Sequence, residues 1–107
     1  MAYCLESEGY RVSIVEDGVA ALASITESPP DLVLLDLILP RMSGFLVLET
    51  MREDARMRGI PVVVVSARSD DRDVERARLL GAQEYLMKPF LPQDLLTVVR
   101  RTLPKEA

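Results

Sequence analysis

The chain has 107 residues, 49% of them apolar, and a net charge of −4, which suits one domain with a single core. Eleven of its thirteen cations are arginines scattered among acids, whereas a nucleic-acid face needs a basic stripe, so direct nucleic-acid binding is not expected. A single cysteine, Cys4, excludes an internal disulfide, and the absence of histidine excludes the usual His/Cys zinc sites and any Ser-His or Cys-His nucleophile pair.

Residues 2–8 (AYCLESE) read as helix ending at Gly9, with Cys4 a small packed residue. Residues 11–15 (RVSIV) alternate as a half-buried edge strand. Asp17 is placed to cap a helix reaching about Glu27, and Pro29 and Pro30 break the pattern. The runs LVLL at 32–35 and VVVV at 62–65 fit strands covered on both faces, and β-branched valines suit the pleat. Ser43 is placed to cap a helix through about Glu53, and Asp70 one over 71–80 that stops at Gly81. Arg56 and Arg58, like Arg100 and Arg101, read as solvated helix surface. Residues 83–87 (QEYLM) form a shorter strand. Pro92 opens a last helix with Leu95, Leu96, Val99 and Leu103 on one apolar face. No run approaches the roughly 20 apolar residues that span a membrane, and no signal peptide is visible, so a cytoplasmic setting is expected.

Strand and helix alternate, which predicts a doubly wound α/β domain with a parallel sheet. In such sheets function collects at the carboxyl ends of the strands. Three side chains stand there. Asp36 ends LVLL, and a carboxylate beside a doubly covered strand is costly unless paired or coordinated. Ser66 ends VVVV and supplies a hydroxyl donor, followed by the small Ala67. Lys88 follows the last strand and precedes Pro89, which pushes it out of helical geometry; a cis bond there would turn the chain sharply and aim the ammonium back into the crevice, where it suits a phosphate. A nucleophilic carboxylate, a hydroxyl and a cation suit the uptake of a phosphoryl group as an acyl phosphate. Phosphoryl transfer ordinarily also takes a divalent cation such as Mg²⁺.

The chain resembles the bacterial response-regulator receiver domain of the chemotaxis type. The segments are PDLVLLDLILPRMSG with Asp36, Pro40 and Gly44; PVVVVSA with Ser66; GAQEYLMKPF with Tyr85, Lys88 and Pro89; and EDGVAAL at 16–22. The resemblance implies a flavodoxin-like receiver fold with sheet order 2-1-3-4-5. It implies that a histidine kinase or phosphotransfer protein phosphorylates Asp36, with Ser66, Ala67 and Lys88 around the phosphoryl group. Ser66 and Tyr85 would be the switch, and Pro40, Gly44 and Pro89 structural residues. A downstream protein would read the face made by the helix over 71–80, the strand over 83–87 and the last helix. Asp36 and the backbone carbonyl of Ile38 carry over as Mg²⁺ ligands.

The family's first strand and its acidic pair would lie before Met1, and Glu16 and Asp17 match the start of the second helix instead. The expectation is therefore a receiver spanning 1–107, truncated at its N-terminus, without an output domain and with weakened Mg²⁺ binding. Either residues 11–15 pair directly with 31–35, or another chain fills the gap by swapping or dimerising, or the start is a boundary inside a longer receiver. The alternative function is a degenerate receiver that works by protein contact without phosphorylation. A phosphatase of the haloacid dehalogenase type ranks lower, because Ile38 stands where its second acid belongs. A flavin site ranks lower too, since no Gly- or Ser/Thr-rich phosphate loop opens a helix. Ile38 and Arg68 flank the pocket.

Overall fold

A computed structural model describes residues 17–38, 42–67 and 70–103. The expected helix over 2–8 and strand over 11–15 lie outside the described residues, as do Cys4, Glu16, Pro40 and Arg68. The elements are α1 (Gly18–Glu27), β1 (Val33–Leu35), α2 (Gly44–Glu53), β2 (Val62–Ser66), α3 (Asp71–Leu79), β3 (Glu84–Met87) and α4 (Pro92–Thr102). No helix among them is long and apolar enough to cross a membrane.

The caps foreseen for three helices form. Asp17 Oδ1 accepts from the Ala20 N–H at 2.8 Å, Ser43 Oγ from Leu46 at 3.2 Å, and Asp70 Oδ1 from Arg72 at 2.8 Å. Each satisfies a first-turn amide that has no partner inside the helix. The last helix starts differently. Pro92 occupies its first turn, and Asp94 Oδ2 reaches back to accept the Leu91 N–H at 3.2 Å.

Among the described residues three strands form a parallel sheet in the order β1-β2-β3, with Leu35 opposite Val64 and Ser66 opposite Met87. The valine run is apolar throughout because both faces of β2 are covered. Val62 and Val64 join the core with Leu35, Phe45, Val47, Leu48, Met51 and Ala77, from β1, α2 and α3. Val63 and Val65 face the other way and pack with Val98 of α4. Successive side chains on a strand point to opposite faces, so helices on both sides demand apolar residues at every position. Burying each valine stabilises the fold by about 1.5–3 kcal/mol relative to exposure. The result is a doubly wound α/β arrangement.

Three details differ from the sequence reading. The apolar face of α4 includes Val98, which is buried against Val63 and Val65; Leu96 and Leu103 are only partly covered. The first run forms strand only from Val33, and the last strand begins at Glu84. Arg56 and Arg58 lie not on a helix but in the turn after α2. Arg56 Nη2 sits 2.8 Å from Asp54 Oδ2, and Arg58 Nε donates to the carbonyl of Arg52 at 3.2 Å. The helix stops at Glu53 because Asp54 folds onto Arg56 and its amide rather than continuing the helical pattern.

The Arg56 side chain and amide hold the Asp54 carboxyl well below the ordinary 3.8, at about 2. A depressed carboxylate contributes stability above its unfolded value and loses it as the pH falls through the folded one. Asp54 is therefore expected to titrate near 2 by carboxyl NMR, and Arg56→Ala to return it towards 3.8. A midpoint already at the ordinary value in the parent chain would contradict this pairing.

Candidate functional site

The end of β1 hands the chain to a loop that turns at Asp36. Leu35 and Leu37 on either side are buried, which anchors the backbone and leaves the Asp36 side chain at the rim, 31% exposed. Its two oxygens are held separately. Oδ1 accepts the Ile38 N–H at 2.9 Å, and Oδ2 accepts Lys88 Nζ at 2.8 Å. The first contact sets the direction of the carboxylate from its own loop. The second brings a cation from 52 residues away in sequence.

Lys88 is delivered by the sheet. Met87 ends β3 opposite Ser66, and the Lys88 N–H donates to the Ser66 carbonyl at 2.8 Å, so its backbone is tied to the end of β2. The Lys88–Pro89 peptide is cis. Behind it, Asp94 holds the Leu91 amide and closes the segment onto α4. Asp94 was not singled out from sequence, although an acid at the third helical position is a capping signal. The Lys88 side chain is 41% exposed, so the pair is a rim ion pair whose worth to the fold is at most about 1 kcal/mol. An amine held at a carboxylate there points to charge neutralisation rather than to stability.

Ser66 ends β2 with its side chain fully buried, and among the described residues it is the one buried polar side chain. Ala67 follows and lines an open cleft with Lys88, Pro89 and Phe90. Tyr85 stands opposite Val64 and is half-buried against the core of β1, β2, α2 and α3. It lies with Val74, Ala77, Arg78 and Glu84 between α3 and β3. Ile38 is 60% exposed at the rim.

Gly44 is required by contact rather than by conformation. A Cβ there would lie 2.3 Å from the Asp36 carbonyl oxygen and 2.5 Å from Leu37 Cα, and the Gly44 N–H donates to the Leu37 carbonyl at 3.0 Å. The start of α2 thus sits directly on the backbone of Asp36.

For a divalent cation, the loop offers the Asp36 carboxylate and the Ile38 carbonyl. Among the described residues no group of three or more acidic, His or Cys side chains is gathered to hold a metal. Mg²⁺ takes near-octahedral oxygen ligands, and these two do not make such a site. Asp36 and Lys88 are brought together; the acidic partners of a metal site are not among the described residues.

The family model of the response regulator receiver domain matches residues 1–100. The DNA-binding response regulator MtrA of Mycobacterium tuberculosis is 42% identical over 99 residues, covering 92% of this chain and 42% of MtrA. This chain thus spans less than half the length of the curated relatives it matches, and the DNA binding in that name is said of the longer protein. Chemotaxis protein CheY4 of Vibrio cholerae superposes with a TM-score of 0.88 at 27% identity, covering 95% of this chain and 85% of CheY4. The receiver domain of the sensor histidine kinase PA1611 from Pseudomonas aeruginosa superposes with a TM-score of 0.86 at 30% identity, covering 95% and 84%. That structure has a magnesium ion coordinated in its active site cleft.

Proposed function

The chain belongs to the response regulator receiver domain family, a signalling module of two-component systems rather than a classical enzyme, and from that premise we propose that Asp36 is its phosphoacceptor. The observation that carries the assignment is the 2.8 Å contact between Lys88 Nζ and Asp36 Oδ2 at the ends of two strands. An Asp36 oxygen attacks phosphorus, the bond from phosphorus to the donor's leaving group breaks, and the product is an aspartyl phosphate. Lys88 follows the charge onto the phosphoryl oxygens. Ala67, with only a methyl group beside Lys88, leaves room for that group.

The donor is a histidine kinase or phosphotransfer protein, and a small acyl phosphate suffices for self-phosphorylation. Ser66 then moves towards the phosphoryl oxygens, and Tyr85 turns inward behind it. The face formed by α3, β3 and α4 then changes its preference for a downstream protein or for a second copy of the chain. For Mg²⁺ the Asp36 carboxylate and the Ile38 carbonyl are the ligands that this loop supplies. Residues 1–107 act as one receiver unit on the cytoplasmic side, without direct contact to nucleic acid. A module working by phosphorylation-independent contact is the less favoured reading, since it gives the Lys88–Asp36 pair no task.

The test is intact mass after incubation with acetyl phosphate and Mg²⁺: one phosphoryl group is expected, and no gain at high donor would overturn the proposal. Lys88→Met is expected to slow that gain on the order of tenfold to a hundredfold while changing stability by less than about 1 kcal/mol. Parent-like kinetics in Lys88→Met would remove Lys88 from the site.

A further inference from the structure

The loop that carries Asp36 is held from two sides, and the second side is α1. A Cβ on Gly18, the first residue of α1, would lie 2.7 Å from Met42 Cβ and 2.7 Å from the Met42 carbonyl oxygen. It would also lie 3.0 Å from Val47 Cγ2 in α2. Gly18 is buried and does not have the positive φ that would itself call for glycine; among the described residues only Gly81 has one. Alanine is the better helix former, so neither helix propensity nor backbone conformation explains glycine here. Close approach to Met42 does.

Met42 stands immediately before Ser43, the cap of α2, and Gly44, which touches the Asp36 carbonyl. The starts of α1 and α2 therefore close on the loop at Met42 and at Asp36–Leu37. The Asp36 carboxylate takes its direction from that same loop through the Ile38 N–H. Packed atoms leave little slack, so a displacement at Met42 passes through Ser43 and Gly44 to the Asp36 and Leu37 backbone that Gly44 touches.

We infer that Gly18 is a positioning residue for the phosphoacceptor: by seating α1 directly on Met42 it fixes the loop that aims the Asp36 carboxylate. This rests on the assignment of Asp36 given above. The substitution that tests it is Gly18→Ala in the full chain, read in two ways. The first is the backbone amide resonances of Leu37 and Ile38. Both are expected to shift, because they report loop geometry whether or not phosphorylation occurs. The second is the rate of phosphoryl gain from acetyl phosphate, expected to fall on the order of tenfold or more at unchanged far-UV circular dichroism. Val19→Ala, at an exposed neighbour in the same turn, is expected to change neither.

Unmoved Leu37 and Ile38 amides in folded Gly18→Ala would overturn the inference, as would a parent-like rate. If Gly18→Ala does not fold, Met42→Gly withdraws the same contact from the other side; unmoved amides there overturn it equally. A parent chain that takes up no phosphoryl group defeats the Asp36 assignment alone, and the amide shifts still decide the role of Gly18.

Discussion

Asp36→Asn is expected to abolish uptake of a phosphoryl group completely. The change is nearly isosteric, and an amide oxygen can still accept the Ile38 N–H that holds Oδ1 at 2.9 Å in the parent. It removes the negative charge that Lys88 faces at 2.8 Å and the nucleophilic lone pair that would attack phosphorus. The pair sits at the rim, so its loss costs the fold no more than about 1 kcal/mol, and the variant is expected to melt close to the parent. The measurement is intact mass after treatment with acetyl phosphate. The parent is expected to gain one phosphoryl group that hydroxylamine removes, as it does any acyl phosphate, whereas Asp36→Asn gains none. A variant that still gains a hydroxylamine-sensitive group would move the acceptor to another carboxylate.

Gly44→Ala is expected to damage fold and site together. The new Cβ would meet the Asp36 carbonyl oxygen at 2.3 Å and Leu37 Cα at 2.5 Å, both backbone atoms that cannot rotate away. Helix propensity favours alanine by up to about 1 kcal/mol, but overpacking against backbone costs about 1–3 kcal/mol or more. The second effect wins, because relief requires α2 to lift from the loop on which its own N–H donates to the Leu37 carbonyl. A net loss of about 2 kcal/mol lowers the melting temperature of a domain this size by roughly 8–16 °C. Phosphoryl uptake should fall with it, since the displaced atoms belong to Asp36. Gly59→Ala is the matched control: its Cβ would meet nothing within 4 Å, and its melting temperature should stay within a few degrees of the parent's. Equal melting of Gly44→Ala and parent would mean that the loop yields at no cost.

Much of the fold was readable from local pattern. Continuous apolar runs at 32–35 and 62–65 announce strands covered on both faces, and the opposed packing of Val62/Val64 and Val63/Val65 is their physical counterpart. Asp17, Ser43 and Asp70 mark helix starts because a short acceptor before a helix satisfies its free amides. Arg56 and Arg58 misled the reading because their charges fit a helix surface equally well. The competing bonds to Asp54 and Arg52 appear only once the chain has turned. Val98 was missed because α4 packs across the sheet with a broader stripe than its leucines mark.

By itself the sequence determined which chemistry is available: a strand-end carboxylate, a strand-end hydroxyl, a lysine before proline, and no histidine or internal disulfide. These are properties of residue type and local spacing, which the linear order carries in full. Only the tertiary structure decided how they are used. The 52-residue separation of Asp36 and Lys88 becomes 2.8 Å because parallel pairing of β1, β2 and β3 brings their carboxyl ends to one edge. Ser66 is buried at the end of β2, which among the described strands lies between β1 and β3. The need for glycine at 18 and 44 comes from distances between segments far apart in sequence, and no local pattern encodes those distances.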